Sequence, residues 1–381
     1  MGMMPYGRQS VSEDEIAAVA EVLRGDWLTT GPAVRQFEAG LAGWAGGAEC
    51  VSVTSGTAAL HTAYAAAGVG PGDEVVTTPL TFVATACTAA MLGATVVFAD
   101  VEDDTGLLDA DAVKAVATDR TKVVAAVDYA GQPCDYDALR EVAAPVGALL
   151  LEDAAHSVGS TWQGRPVGAL ANLTTFSFFP TKHLTTAEGG AVASPRPALA
   201  ERAARFRNIG LVRDPHLFKV RDQGAWHQEV HEFGLNYRLP DVLCALGIVQ
   251  LRRLRGFLDR RDELVARYRA ALSDVDGLVL PAVRDGVTPT WHLFPVRVRD
   301  GRRREVYEAM RAAGIGVQVN FIPAYWHPVF ADAGYRRGLC PNAEAWYEEE
   351  LSLPLYPDLT DDDQDRVVAT LRGILGAGGV R

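Results

Sequence analysis

Three short stretches of this 381-residue chain bring together side chains suited to covalent or acid–base chemistry. The first, "SFFPTKHLTTAEGG" from Ser177 to Gly190, sets Lys182 between an aromatic run and a glycine-rich turn. Of 36 lysines and arginines only Lys114, Lys122, Lys182 and Lys219 are lysines, so Lys182 departs from the chain's default cation. A sheltered lysine has a depressed pKa, and its neutral amine attacks carbonyl carbon; arginine stays protonated and cannot. Ser177, Thr181 and the residues of "TTAEGG" surround it with hydroxyls and backbone amides that suit an anion. The second stretch, "ALLLEDAAH", puts Glu152 and Asp153 at the carboxyl end of an apolar run, with His156 three residues on. A carboxylate there is costly unless paired, so it could hold a metal, act as a general base or pair with a protonated ring nitrogen. His156 reads either as its partner, as a cofactor contact or as a structural histidine.

The third stretch, "VTSGTAAL", follows an apolar run and opens an alanine-rich helix, where Gly56 and Thr57 could bring backbone N–H groups to a phosphate. Alone it is equally an ordinary turn capped by Ser55 or Thr57. Together the three stretches are the parts that pyridoxal 5'-phosphate requires. A lysine holds the aldehyde, a helix start holds the phosphate, and a carboxylate keeps the pyridine nitrogen protonated. "GVGPGD" at Gly68 to Asp73 is no dinucleotide fingerprint, because it follows a helix and precedes a strand.

These parts need a scaffold. "CVSV", "DEVVTT", "TVVFADV", "KVVAAVDY", "ALLLED", "TTFSFF" and "GGAVAS" are short apolar runs that alternate with helical stretches between about residues 50 and 195. Near-continuous apolar strands separated by helices indicate an α/β fold with a mostly parallel seven-stranded sheet covered on both faces. Ser12 and Glu15 read as a capping box for the first helix. Beyond residue 195 the pattern turns helical and arginine-rich. From about Gly277 it gives a strand "TWHLFPVRV", a helix "RREVYEAMRAAG", a strand "GVQVNF" and a closing helix capped by Thr360. The expected division is a large domain with its N-terminal segment over 1–255 and a small C-terminal α+β domain over 256–381.

The composition excludes other classes. A net charge of −12 without a basic stripe argues against nucleic acid. Five scattered cysteines, never spaced as CxxC, point to a reducing compartment and to no metal cluster. No stretch approaches a membrane span and no signal peptide is evident, so a soluble cytoplasmic protein is expected.

With those motifs in place, the chain resembles the DegT/StrS family of nucleotide-sugar aminotransferases along nearly its whole length. The resemblance rests on "PYGRQS", "LTTGP", "SGTAALH", "TTPLTFVATA", "FADV", "YAGQPCD", "EDAAHS", "SFFPTKHLTTAEGG", "GLNYRLPDVLCALG" and "LSLPLYPDLT". It implies the aspartate-aminotransferase-like fold (fold type I) and a homodimer with a shared active site. It also implies that Lys182 is the Schiff-base lysine and then the base that moves the proton between substrate and cofactor carbons. By the same resemblance Asp153 pairs with the pyridinium, His156 lies near the ring, and Phe82 stacks on it. Gly56, Thr57 and Ser177 bind the phosphate, and Asn236 reaches it from the neighbouring subunit. Arg238 is a candidate for the donor's carboxylate, and Tyr325 and His327 for the sugar; a structural ion pair and a packed aromatic corner are the competing readings. One departure is Ala187, where the family usually has glycine; a positive φ there would strain alanine.

The implied activity is transfer of an amino group, from L-glutamate as expected donor, to a 4-keto-6-deoxy nucleotide sugar, with pyridoxamine 5'-phosphate as the intermediate cofactor form. "NIGLVRDP" and "DQGAWHQEVHEFGLNYR" resemble the subgroup that forms UDP-4-amino-4,6-dideoxy-N-acetyl-β-L-altrosamine. The preference for arginine and alanine suits a high-GC genome, where enzymes of the family serve antibiotic sugar pathways, so the alternative the resemblance implies is a dTDP-keto sugar, another keto sugar or a cyclitol of antibiotic biosynthesis. A pyridoxamine-dependent dehydratase is disfavoured, since that group carries histidine at the lysine position. A non-catalytic cofactor-binding regulator would need an added DNA-binding or sensor module.

Overall fold

The structure is a computed structural model that describes residues 2–377. Its centre is a seven-stranded sheet made by the seven apolar runs: Glu49–Val53 (β1), Glu74–Thr77 (β2), Thr95–Phe98 (β3), Thr121–Val127 (β4), Leu149–Asp153 (β5), Leu173–Ser177 (β6) and Gly190–Ser194 (β7). Their order across the sheet is β1-β7-β6-β5-β4-β2-β3. β7 is antiparallel to both its neighbours, and every other adjacent pair is parallel. The strands read as continuous apolar runs because helices cover both faces. Helix Gly56–Ala67 shows why alanine is abundant: nine of its residues are buried, and small side chains let it pack on the sheet and on helix Pro197–Phe206.

The carboxyl ends of β5 and β6, the start of helix Gly56–Ala67 and the segment after β2 all open on one edge of this sheet, where open α/β sheets bind ligands. A second core lies beside the first, around Leu264, Tyr268, Phe294, Val296, Val306, Leu351, Leu353 and Leu371. Its antiparallel sheet pairs Leu278–Val279, Phe294–Val298 and Glu350–Leu353, under helices Arg303–Ala312 and Asp361–Ala377. Thr360 caps the last helix, its hydroxyl accepting from Asp363 N at 3.1 Å, and Ser12 and Glu15 form the expected capping box.

One helix links the two cores, and one segment departs from the sequence reading. The helical segments after Pro240 are one helix, Asp241–Leu272, whose 32 residues run unbroken through residue 255. Leu251, Leu254 and Leu258 belong to the first core, and Leu264, Val265 and Tyr268 to the second. The segment "GVQVNF" is extended but is no strand. It keeps a single bridge, Gln318 to Ser352, and Asn320 N donates at 2.6 Å to the Glu350 carboxylate instead of to a strand carbonyl. Residues 4–6 also return to the second core: Met4 is buried in it, and Leu355 N donates to Tyr6 O at 3.0 Å. Among the described residues no helix is long and apolar enough to cross a membrane, and no cluster of His, Cys, Asp and Glu is arranged for a metal.

Candidate active site

The three stretches meet in one cavity of about 550 Å³ between the two cores. Gly56, Thr57, Phe82, Asp153, His156, Ser177 and Lys182 all line it. Ser55, in extended backbone, caps helix Gly56–Ala67 by accepting from Ala58 N at 3.0 Å, which leaves the first N–H groups of the helix at the cavity floor. A methyl at Gly56 would lie 2.8 Å from Ser177 Cβ and 2.9 Å from Ser177 Oγ, so only glycine lets the helix start and the end of β6 form this cradle. Gly56→Ala is therefore expected to weaken pyridoxal phosphate binding about tenfold by pushing Ser177 aside. Absorbance titration checks it, and an unchanged affinity would remove the pair from the anion site.

Asp153 ends β5 with its side chain buried. Thr85 Oγ1 donates to Asp153 Oδ2 at 2.7 Å, and Ala155 N donates to Oδ1 at 3.2 Å. Burial raises its pKa, while Thr85, Ala155 and the charge of Lys182 oppose that rise. Sequence reasoning missed Thr85, although "TFVAT" contains it. Lys182 is half-buried, with its ammonium desolvated; burial brings its pKa down from 10.5 to about 8, and the charge of Asp153 acts against this. A neutral amine is thus accessible near neutral pH. Between about 8 and 10.5 the unfolded chain binds a proton at Lys182 that the folded chain has released. Stability of the cofactor-free protein is therefore expected to rise with pH across that window. Thermal unfolding of Lys182→Met against wild type isolates the contribution, and parallel pH profiles would contradict it.

His156 lies beside His292 (ring centroids 4.3 Å apart) and is stacked at 5.9 Å against Phe321. Burial and then the charge of Lys182 hold it neutral, with its pKa well below the usual range. Phe82 stands open to the cavity, 60% exposed, and meets Phe321 edge-on at 6.3 Å. Thr181 and Glu188, from the stretch around the lysine, line it too, whereas Tyr6, Phe179, His292 and the segment Gln318 to Phe321 were not expected from the sequence. Tyr6 belongs to "PYGRQS", a family motif without an assigned part in the site.

The glycine-rich turn has a different job from the one expected. Thr185 and Thr186 are buried, and their hydroxyls donate to Phe178 O at 3.0 Å and Glu188 O at 2.8 Å. They close the lysine loop on itself rather than face an anion, which leaves Ser177 and the helix start for that part. Ala187 has φ 66° and is exposed, so it does occupy the left-handed region. Ala187→Gly is expected to stabilise the fold by about 1 kcal/mol, raising Tm by about 2 °C. A lower Tm in calorimetry would show that the loop does not strain the alanine.

Four candidates lie outside this cavity. Asn236 is exposed and bridges to Asn208 through its backbone. Arg238 bridges Val53 and donates from Nη1 to Asn208 Oδ1 at 2.7 Å. Tyr325 is buried against Phe98, with its hydroxyl donating to Glu344 Oε1 at 2.6 Å. His327 leads into the short helix Pro328–Asp332. Tyr325 thus forms the packed aromatic corner that competed with the sugar-contact reading.

Comparisons with known proteins agree with this geometry. The model of the DegT/DnrJ/EryC1/StrS aminotransferase family matches residues 9–372. The spore coat polysaccharide biosynthesis protein SpsC of Bacillus subtilis (strain 168) is 39% identical over 378 residues, covering 98% of this chain and 97% of that protein. Among solved structures, the sugar aminotransferase Spr1654 of Streptococcus pneumoniae, in its PMP form, superposes with a TM-score of 0.92 at 29% identity, covering 98% of this chain and 99% of that one. PseC of Helicobacter pylori, an aminotransferase involved in the biosynthesis of pseudoaminic acid, gives 0.91 at 28% identity, covering 98% of this chain and 100% of that one. This chain belongs to the DegT/DnrJ/EryC1/StrS family of aminotransferases and is a pyridoxal-phosphate-dependent enzyme of fold type I.

Proposed function

We propose that this enzyme moves an amino group from L-glutamate to the keto carbon of a 4-keto-6-deoxy nucleotide sugar, with the UDP-linked series as its substrate. One observation carries the chemical part: a lysine whose ammonium burial lowers to about 8 shares a cavity with a buried carboxylate and a glycine-cradled helix start. Those residues fit pyridoxal phosphate, because each of its three groups meets a complementary one. Bound there, the cofactor supplies the aldehyde that takes and returns the amino group and the ring that holds the electron pair freed at the substrate carbon.

The chain does the rest. The N–H groups at Gly56 and Thr57 with the Ser177 hydroxyl hold the phosphate. Asp153, kept in place by Thr85 and Ala155, would hold the proton of the ring nitrogen as a carboxylate. Phe82 and neutral His156, which line the cavity, would pack against the ring, and their bulk would exclude water. Lys182 Nζ, neutral above about 8, takes a proton from the substrate carbon and delivers it to the other side of the transfer.

A homodimer completes the site in this proposal, with Asn236 of a second copy reaching the phosphate. Asn236 follows a hairpin whose Trp226 and Phe233 are exposed. Mixing Lys182→Ala with Asn236→Ala protein should restore activity in verified heterodimers; no recovery would place the whole site in one chain. We place the enzyme in the cytoplasm, on its five free cysteines. For the sugar, the "DQGAWHQEVHEFGLNYR" motif supports the altrosamine-forming step. Identity of 39% to SpsC against 28% to PseC favours a second reading, another keto sugar of polysaccharide or antibiotic assembly. Glutamate-dependent amination of UDP- and dTDP-keto sugars, read by mass spectrometry, decides between them. Amination of neither class would contradict the nucleotide-sugar assignment.

A further inference from the structure

Beneath the site lies a second pair of carboxyls that the transfer chemistry does not use. Glu152 and Asp153 are consecutive on β5, so their side chains leave opposite faces of the sheet. Asp153 faces the cavity, whereas Glu152 is fully buried on the other side, next to Asp128 at the end of β4. Asp128 N donates to Asp153 O at 3.1 Å, so the two strand exits are tied together at this level.

Every donor that reaches the two carboxyls is neutral. Asp128 Oδ1 accepts from Tyr136 Oη at 2.8 Å and Cys134 N at 3.3 Å, and Oδ2 accepts from Ser157 Oγ at 2.6 Å. Glu152 Oε2 accepts from Thr174 Oγ1 at 2.6 Å and Gly168 N at 2.9 Å. Glu152 Oε1 is buried with no hydrogen-bond partner, and Asp128, which follows the strand position paired with Asp153, is the neighbouring carboxyl on which its charge acts. Two carboxylates in a dry interior cannot both ionise, and one proton between them satisfies the orphaned oxygen. The other titratable groups that face them are Tyr136 and Cys134, from the helix Tyr136–Ala143 and the loop before it. Burial pushes both above their ordinary values, which keeps them neutral, as it pushes up Asp128 and Glu152.

We propose that Asp128 and Glu152 share one proton, held on Glu152 Oε1 and donated to the Asp128 carboxylate, and that this dyad positions the exit of β5. Asp128 grips Ser157 in the turn that carries His156, and Glu152 grips Thr174 on β6 and Gly168. A single negative charge beneath Asp153 leaves that carboxyl free to ionise toward the cofactor, whereas two would oppose it. The positioning role rests on the proposed pairing of Asp153 with the cofactor ring; the shared proton does not.

Infrared difference spectra of the cofactor-free protein between neutral and alkaline pH test the sharing. The expected result is a protonated-carboxyl band that is lost in Glu152→Gln, shifted in Asp128→Asn and unmoved in Asp153→Asn. Glu350, another buried acid whose pKa burial raises to about 8, gives a band of its own, identified by Glu350→Gln. A spectrum that neither Glu152→Gln nor Asp128→Asn alters overturns the shared proton; if the former does not fold, the latter decides. Positioning is read by absorbance titration with pyridoxal phosphate. Glu152→Gln, whose amide can donate to Asp128, should bind on the order of tenfold more tightly than Glu152→Ala. Ser157→Ala, which cuts the tie to the His156 turn, should weaken binding as well. Equal affinity of the two Glu152 variants, or wild-type affinity of Ser157→Ala, overturns the positioning role even where the infrared result stands.

Discussion

Lys182→Ala is expected to lower turnover on the order of 10⁴-fold or more, because in the proposed mechanism it removes both the amine that holds the cofactor and the base that moves the proton. The fold should survive, since Lys182 makes no side-chain hydrogen bond that closes its loop. That loop is held by Thr185, Thr186 and the Phe178–Gly189 pairing. Lys182→Arg should be as inactive, since a guanidinium keeps its proton at every working pH. Added methylamine gives a sharper reading: a small free amine can enter the cavity and restore part of the proton transfer to the alanine variant but not to the arginine one. Steady-state rates with the pyridoxal-phosphate-loaded variants check this. Wild-type turnover in either variant would assign the chemistry to another residue.

Asp153→Asn should cost roughly 10²–10³ in kcat, the scale of losing one preorganised electrostatic partner. The amide can still accept from Thr85 and so keeps its place, but it carries no charge with which to hold the ring nitrogen's proton. KM for the amino donor should change little, because the proposal sets Asp153 against the cofactor rather than the substrate; a rise in KM alone, with kcat intact, would assign it to substrate binding. Crystallographic or circular-dichroism evidence of an intact fold belongs with the rate. Asp153 is buried, and its effect must be separated from collapse of the strand exit.

Much of this architecture was legible because it rests on local signals. Seven apolar runs became seven strands, since a sheet covered on both faces needs each strand to be apolar throughout. Gly56, Asp153, Ser177 and Lys182 could be named because strand ends and helix starts are local features, and the topology gathers them at one edge. Other parts had no local signature. His292 and Asn320 reach the cavity from more than a hundred residues beyond Lys182, through packing of the second core, and Tyr6 reaches it from the opposite end of the chain. "GVQVNF" had the alternation of a strand, but the buried carboxyl of Glu350 captures Asn320 N and redirects the segment into the site. Thr185 and Thr186 looked like anion ligands by composition, and only their burial shows that they serve the loop. Glu152, which sequence reading grouped with Asp153, turns out to face the opposite side of the sheet, as the strand's two-residue period demands.

The most direct test of the account is the visible absorbance of the wild-type enzyme loaded with pyridoxal phosphate, followed through one cycle. A band from the cofactor joined to Lys182 should appear, fade on addition of L-glutamate, and return when a 4-keto-6-deoxy nucleotide sugar is supplied. Lys182→Ala should show none of these changes. A wild-type band that no amino acid discharges, or one that persists unchanged in Lys182→Ala, would contradict the central claim.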